Sequence, residues 1–140
     1  MLVAEVTCLA FVMIAVWHVY IAAVRDAGLS WAVPSREGRP LFRPSRGATL
    51  LVAVLLLFFA ALVASCAGLW HVGIPHRVLL WLSYALVLGL VGRAVGDFRY
   101  VGFFKRIRGS AFARLDSLIF SPLCLLLAAG VLLSANPSAT

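Results

Sequence analysis

The feature that most constrains the fold of this chain is a long apolar run without a single charge, ATLLVAVLLLFFAALVASCAGLW, at positions 48–70. An α-helix rises about 1.5 Å per residue, so about 20 apolar residues cross the hydrocarbon core of a bilayer. A helix that is apolar on every side also needs an apolar environment on every side. The run therefore predicts a transmembrane helix.

Three further apolar runs, at positions 2–24, 77–96 and 115–135, are long enough to span a membrane. The whole chain is 64% hydrophobic and 12% charged, with a mean hydropathy of +1.05. Soluble domains are about half apolar and about a quarter charged, and a water-soluble fold could not hide this much apolar surface. We therefore predict one all-α integral membrane domain over residues 1–140, with four transmembrane helices in an antiparallel bundle.

The positions of the basic residues predict the orientation of this bundle. Eleven of the twelve Lys and Arg residues lie in or next to the loops at 25–47 and 97–114, and only Arg77 lies on the other side. By the positive-inside rule both loops are cytoplasmic and both chain termini face out. Membrane insertion accounts for the net charge of +7, and since no recognition motif accompanies that charge we predict no nucleic-acid partner.

Motifs that would carry catalysis or bind a metal are missing from the sequence. It has no H-E-x-x-H, no G-x-S-x-G and no phosphate-binding glycine loop. His71 and His76 lack further metal ligands, and the three cysteines lie in apolar runs without C-x-x-C spacing. The sequence predicts no metal, no cofactor and no catalytic residue, and favours a function other than catalysis.

Several ionisable residues lie in or beside the predicted helices at the cytoplasmic level. Such residues within a span cost about 2.5–3.5 kcal/mol each and usually face a partner or a cavity. Arg93 and Asp97 are spaced i, i+4, which predicts one shared face of the third helix, and Asp97 needs a cation such as Arg93 or Arg99. Asp116 is predicted to open the fourth helix, where the helix dipole favours a carboxylate without a partner.

These groups are predicted to converge on one polar pocket that opens to the cytoplasm. Pro122 adds to it, because a proline cannot donate to the carbonyl of Leu118 and predicts a kink there. The predicted ligand-binding residues are His18, Tyr20, Arg93, Asp97, Arg99, Tyr100, Asp116 and Ser121. A purely structural network of salt bridges at the helix ends explains the same residues, so both interpretations stay open.

Two other patterns predict partners. Gly89, Gly92 and Gly96 are predicted to share one side of the third helix, which permits close helix packing and makes this side a candidate homodimer seam. The segment 97–114 alternates aromatic and basic residues, a composition typical of an interfacial segment with its cations on anionic headgroups. The predicted partners are therefore membrane lipids and either a second copy or another membrane protein.

Four segments resemble a known bacterial family of small four-helix membrane proteins, domain of unknown function 3995. They are HVY at 18–20, WAVP at 31–34, RAVGDFRYVGFFKR at 93–106 and ARLDSLIFSPLCLLL at 113–127. The resemblance implies a multi-pass protein of the bacterial inner membrane and supplies no activity. It marks as the family's signature His18, Tyr20, Arg93, Asp97, Arg99, Tyr100, Asp116, Ser121 and Pro122.

Three functions fit these observations. In the first, the pocket binds, and in a homodimer transports, a small anionic or amphipathic ligand, with Arg93 and Arg99 on the anion and His18 carrying a proton. In the second, the protein is an accessory or scaffolding subunit of a membrane complex. In the third, it is a lipid-modifying enzyme that uses His18 with Asp97 or Asp116 as acid–base groups.

Overall fold

Four helices make up most of the structure, a computed structural model. It describes residues 1–24, 33, 35–36, 39–40, 44–98, 100–106 and 110–136. The helices are α1 (Leu2–Ala23), α2 (Arg46–Cys66), α3 (His76–Val95) and α4 (Ala111–Ala135). An antiparallel pair of two-residue strands, β1 (Ser35–Arg36) and β2 (Arg39–Pro40), lies between α1 and α2. The prediction of four helices long and apolar enough to cross a membrane is confirmed.

The outer surface of the helices is apolar. Only 22% to 39% of the residues in the most apolar segment of each helix are buried inside the protein. Large side chains such as Trp81, Leu88 and Leu118 point away from the other helices and are exposed. A soluble monomer rarely leaves such contiguous apolar surface in water, whereas lipid chains cover it at no loss. The exterior is that of a multi-pass membrane protein.

The interior is a thin seam between two pairs of helices. Helix α1 packs mainly against α2, and α3 packs mainly against α4. Phe11, Val63 and Val131, from three different helices, are fully buried in the shared core. Gly130 of α4 lies directly against the side chain of Thr7, so that α1 and α4 approach closely at this point.

We expect Gly130→Ala to destabilise the protein by about 1–3 kcal/mol, because the added methyl group would overlap the hydroxyl of Thr7. Thermal unfolding of the purified protein in detergent measures this effect. Gly89→Ala is the matched control, since nothing lies within 4 Å of a methyl group at that position. Adding Thr7→Ala to Gly130→Ala should restore part of the loss. Equal melting temperatures for Gly130→Ala and Gly89→Ala would contradict the packing described here.

Helix α4 begins earlier than predicted. The side chain of Ser110 accepts a hydrogen bond of 3.1 Å from the backbone N–H of Ala113, which caps the helix and starts it at Ala111. Asp116 therefore lies in the second turn and does not open the helix, so the free N–H groups of the helix end do not stabilise its carboxylate. The prediction of an unaided Asp116 is wrong.

A π-helical turn, Asp116–Phe120, interrupts α4 immediately before Pro122. A proline ring clashes with the carbonyl four residues earlier in a regular α-helix, and a wider turn relieves that clash. In the π pattern, the N–H of Ser121 donates to the carbonyl of Asp116. The turn therefore places Ser121 directly above Asp116 on the same side of the helix.

Helices α2 and α3 also differ from their apolar runs. Ser45 caps α2 through a 3.1 Å hydrogen bond from the N–H of Ala48. Helix α2 ends at Cys66, and Gly68 has a φ of +73°, which turns the chain before the run ends at Trp70. Helix α3 ends at Val95, so that Asp97 follows the helix and is not part of it.

Candidate functional site

Asp116 is the centre of a buried ionic cluster. Its side chain is 0% exposed, although a carboxylate normally needs water. Its Oδ1 accepts a 2.7 Å bond from the Nη2 of Arg93, and its Oδ2 accepts bonds from the Nζ of Lys105 (2.9 Å) and the backbone N–H of Gly102 (2.6 Å). Three donors, two of them charged, therefore replace the hydration of this one carboxylate.

Lys105 is as buried as its partner. Its side chain is 1% exposed, and its ammonium also donates to the carbonyl of Gly102 at 2.9 Å and to the hydroxyl of Ser117 at 2.7 Å. An ammonium group carries three protons to donate, which matches these two acceptors and Asp116. We call Arg93, Gly102, Lys105, Asp116 and Ser117 the Asp116 cluster.

The segment between α3 and α4 reaches this cluster because it folds back tightly on the end of α3. Gly96 and Gly102 both have a φ of +88°, and their backbones lie in direct contact. A side chain on Gly96 would overlap the backbone of Val101 and Gly102, and a side chain on Gly102 would overlap the backbone of Val95 and Gly96. The N–H of Phe103 donates to the carbonyl of Ala94 at 2.9 Å, which ties the loop to the helix. We call this segment the α3–α4 loop; its described residues are 96–98, 100–106 and 110.

Asp97 stabilises the first turn of the α3–α4 loop. Its Oδ1 accepts hydrogen bonds from the N–H groups of Tyr100 (2.7 Å) and Val101 (2.9 Å), an Asx-type turn. The predicted alignment of Arg93 and Asp97 on one helical face is wrong, because α3 ends at Val95. Arg93 forms its ion pair with Asp116 instead.

The other predicted site residues lie in different places. His18 is hydrogen-bonded to the carbonyl of Ile14 at 2.8 Å, and Tyr20 stacks on Trp17 with ring centroids 5.5 Å apart. In the part of the chain that the structure describes, neither residue is bonded to the Asp116 cluster. Tyr100 is half-buried in the α3–α4 loop. Arg99 lies outside the described residues.

Two buried polar atoms among the described residues have no hydrogen-bond partner. They are the Nη1 of Arg93 and the Oγ of Ser121. Buried polar atoms are normally paired, and each exception requires an explanation. Ser121 is fully buried one turn above Asp116, whereas the Arg93 side chain is 37% exposed and so reaches the surface. Both unpaired groups therefore belong to the surroundings of the cluster.

The chemistry of the cluster favours an anion over a metal ion. The described part of the cluster has two cations around one carboxylate, so it carries one excess positive charge. Both oxygens of Asp116 are occupied by donors and cannot ligate a metal without losing them. Within the described residues, no group of three or more His, Cys, Asp or Glu side chains is close enough to hold a metal ion. A guanidinium N–H is the group left to contact a ligand.

Sequence reasoning missed three members of the cluster: Gly102, Lys105 and Ser117. Lys105 lies among aromatic and basic residues in the sequence, a composition that predicts a basic side chain on lipid headgroups. The sequence signal for this part of the cluster is a pair of glycines, Gly96 and Gly102, on either side of a short turn. Gly102 lies three residues before Lys105. Two glycines that need positive φ values predict a sharp reversal, but not which side chain it buries.

A pocket of about 360 Å³ lies at the other end of α3, in the turn that joins α2 to α3. Its walls include Cys66, Trp70, His71 and His76. The thiol of Cys66 lies 3.3 Å from the hydroxyl of Ser83, a hydrogen bond that links α2 to α3. The lining of this pocket is largely apolar and includes two histidines, and the pocket is separated from the Asp116 cluster by the length of α3.

The comparisons with known proteins identify the family. No curated protein and no solved structure matches the chain. The sequence matches one family over residues 11–131, a range that contains every residue of the Asp116 cluster and Ser121. The match agrees with the resemblance stated above. The chain therefore belongs to the family described as "Protein of unknown function (DUF3995)".

Proposed function

We propose that this protein is a single-domain, multi-pass protein of the bacterial inner membrane whose Asp116 cluster binds a small anionic or amphipathic ligand. One observation carries the proposal: the Nη1 of Arg93 is buried and unpaired beside a cluster with one excess positive charge. A guanidinium can only donate hydrogen bonds, so its natural ligand is an acceptor that carries negative charge.

The orientation of the site follows from the charge distribution. Eleven of the twelve Lys and Arg residues lie, by sequence, in or next to the segments 25–47 and 97–114, which supports N-out, C-out topology and a cytoplasm-facing site. Two contacts between α3 and α4 support their antiparallel arrangement. Arg93 meets Asp116 at one end, and Tyr84 meets Asn136 at 3.5 Å near the other.

Binding is compatible with the stability of the cluster because Asp116 has two cations. Lys105 alone, with the N–H of Gly102, compensates the carboxylate. Arg93 is therefore able to turn part of its guanidinium toward a ligand without leaving Asp116 uncompensated. Ser121 supplies a hydroxyl that donates or accepts in the same region.

The accessory-subunit function has one observation in its favour. Among the described residues, no atom outside the helix's own backbone lies within 4 Å of the position that a Cβ atom would take on Gly89 or Gly92, so this face of α3 is open to another helix. The enzymatic alternative has weaker support, because no hydrogen bond joins His18 to a carboxylate among the described residues.

We expect Arg93→Ala to weaken the binding of inorganic phosphate, used as the anionic probe, by roughly tenfold or more. A hydrogen bond to a charged group contributes about 1.5–3 kcal/mol, which corresponds to that factor. The measurement is the phosphate-dependent rise in melting temperature in detergent, together with native mass spectrometry of co-purified anionic species. Arg93→Lys keeps the charge but not the planar fork and is expected to bind with intermediate strength.

Arg77→Ala is the matched control, since Arg77 is an exposed arginine at the opposite end of α3 and outside the cluster. Equal phosphate binding by folded Arg93→Ala and Arg77→Ala would overturn the proposal. Co-purification of a stoichiometric protein partner without any small anion would favour the accessory-subunit function instead.

A further inference from the structure

The α3–α4 loop exposes two phenylalanines that its own fold could have buried. Phe98 is 58% exposed and Phe104 is 62% exposed, and their rings lie next to each other with centroids 6.3 Å apart. Phe103 between them is also exposed. Water-exposed rings in a pair are unfavourable unless an apolar phase covers them. The exposed ring pair therefore indicates a surface that binds to an apolar phase outside the protein.

The backbone holds these rings in place at the expense of strain. Phe98 has a φ of +59°, a conformation that residues with a side chain rarely adopt. Two features hold Phe98 in this conformation: the close contact between Gly96 and Gly102, and the hydrogen bonds that Asp97 accepts from the N–H groups of Tyr100 and Val101. Strained residues persist where the surrounding structure determines them, and they concentrate at functional positions. The loop is thus pre-shaped to present the ring pair.

Two exposed arginines follow the ring pair in the chain and carry the sign of charge that anionic lipids require. Arg106 follows Phe104 by two residues and is exposed, and Arg114 is exposed in the first turns of α4. Of the described carboxylates of this region, Asp116 is buried, and Asp97 is exposed and accepts hydrogen bonds from two backbone N–H groups. Aromatic rings at the acyl boundary with arginines at phosphate level are the usual composition of an interfacial lipid-binding segment.

We propose that the α3–α4 loop is a rigid lipid-binding platform that inserts Phe98 and Phe104 into the cytoplasmic leaflet and binds the phosphates of anionic phospholipids through Arg106 and Arg114. The platform rests on the exposed rings and exposed arginines of the loop. It does not depend on a ligand at Arg93, so the two proposals fail separately.

The test compares the melting temperature of the protein in mixed micelles that contain phosphatidylglycerol or phosphatidylcholine. We expect phosphatidylglycerol to raise the melting temperature more, and the double variant Arg106→Gln/Arg114→Gln to lose at least half of that difference. Arg77→Gln, an exposed arginine at the opposite end, is the matched control and should keep the difference.

The insertion of the rings is tested by depth. A spin label at Phe104→Cys, in a variant without the native cysteines, is expected to be accessible to oxygen and protected from a water-soluble nickel reagent in phosphatidylglycerol nanodiscs. A label accessible to the nickel reagent would overturn the platform. The platform would also be overturned if Arg77→Gln reduced the melting-temperature difference between the two lipids as much as Arg106→Gln/Arg114→Gln does. The same holds if soluble inorganic phosphate raised the melting temperature as much as phosphatidylglycerol does.

Discussion

Asp116→Asn is expected to lower the free energy of unfolding by about 3–5 kcal/mol. The substitution removes the negative charge that compensates Lys105, whose side chain is 1% exposed. The amide would also direct N–H donors at Arg93, Lys105 or Gly102, which are themselves donors. Reversible unfolding in detergent, followed by helical circular dichroism, measures the loss.

Glu5→Gln provides the control for Asp116→Asn, because Glu5 is an exposed carboxylate in the first turn of α1. Its loss should stay within about 0.5 kcal/mol, as for most surface substitutions. A second comparison tests the pairing itself. Lys105→Met combined with Asp116→Asn should be less destabilised than the two single losses added together, since the double variant leaves no buried charge from that pair. Strict additivity would show that the ion pair does not exist.

Gly102→Ala is expected to destabilise the protein by about 1–3 kcal/mol from its φ of +88° alone. The overlap of the new methyl group with the backbone of Val95 and Gly96 adds a further loss of about 1–3 kcal/mol. If the backbone at residue 102 moves to relieve this overlap, its N–H is pulled away from Asp116. This variant and Asp116→Asn therefore act on the same cluster. Thermal unfolding in detergent measures both contributions together.

Gly92→Ala is the appropriate comparison for Gly102→Ala. Gly92 lies in α3 with nothing within 4 Å of an added methyl group, so alanine should be neutral or stabilising by about 0.5–1 kcal/mol through its helix propensity. Similar melting temperatures for the two variants would mean that the close contact between Gly96 and Gly102 does not form.

The helices of this protein are predictable from its sequence because each one is coded by a local run of apolar residues. The ends of the helices are less predictable, since single residues decide them. Ser110 caps the start of α4 by accepting a hydrogen bond from the N–H of Ala113. Gly68, with its positive φ, turns the chain just after α2, before the apolar run is complete. Both effects are smaller than the apolar signal that surrounds them, so hydropathy conceals them.

The Asp116 cluster was predictable only in part. Arg93 and Asp116 stood out as charges at membrane depth, but their pairing joins residues 23 positions apart and depends on how α3 and α4 pack. The i, i+4 spacing predicts that Arg93 and Asp97 share one face of α3, but this requires the helix to continue to residue 97, and it ends at Val95. Lys105 was hidden for a different reason: composition cannot distinguish a lysine on a headgroup from a lysine folded under a loop.

The order of the cluster's residues along the chain has a consequence for how the protein is made. Arg93, Gly102 and Lys105 all precede Asp116, so a ribosome delivers both cations and the reversed loop before it delivers the only described anion that neutralises them. The third helix and its loop therefore cannot complete their structure by themselves. A nascent chain that stops at residue 115 lacks the carboxylate that both cations bind in the folded protein, so the second pair of helices is completed only when the fourth helix enters the bilayer.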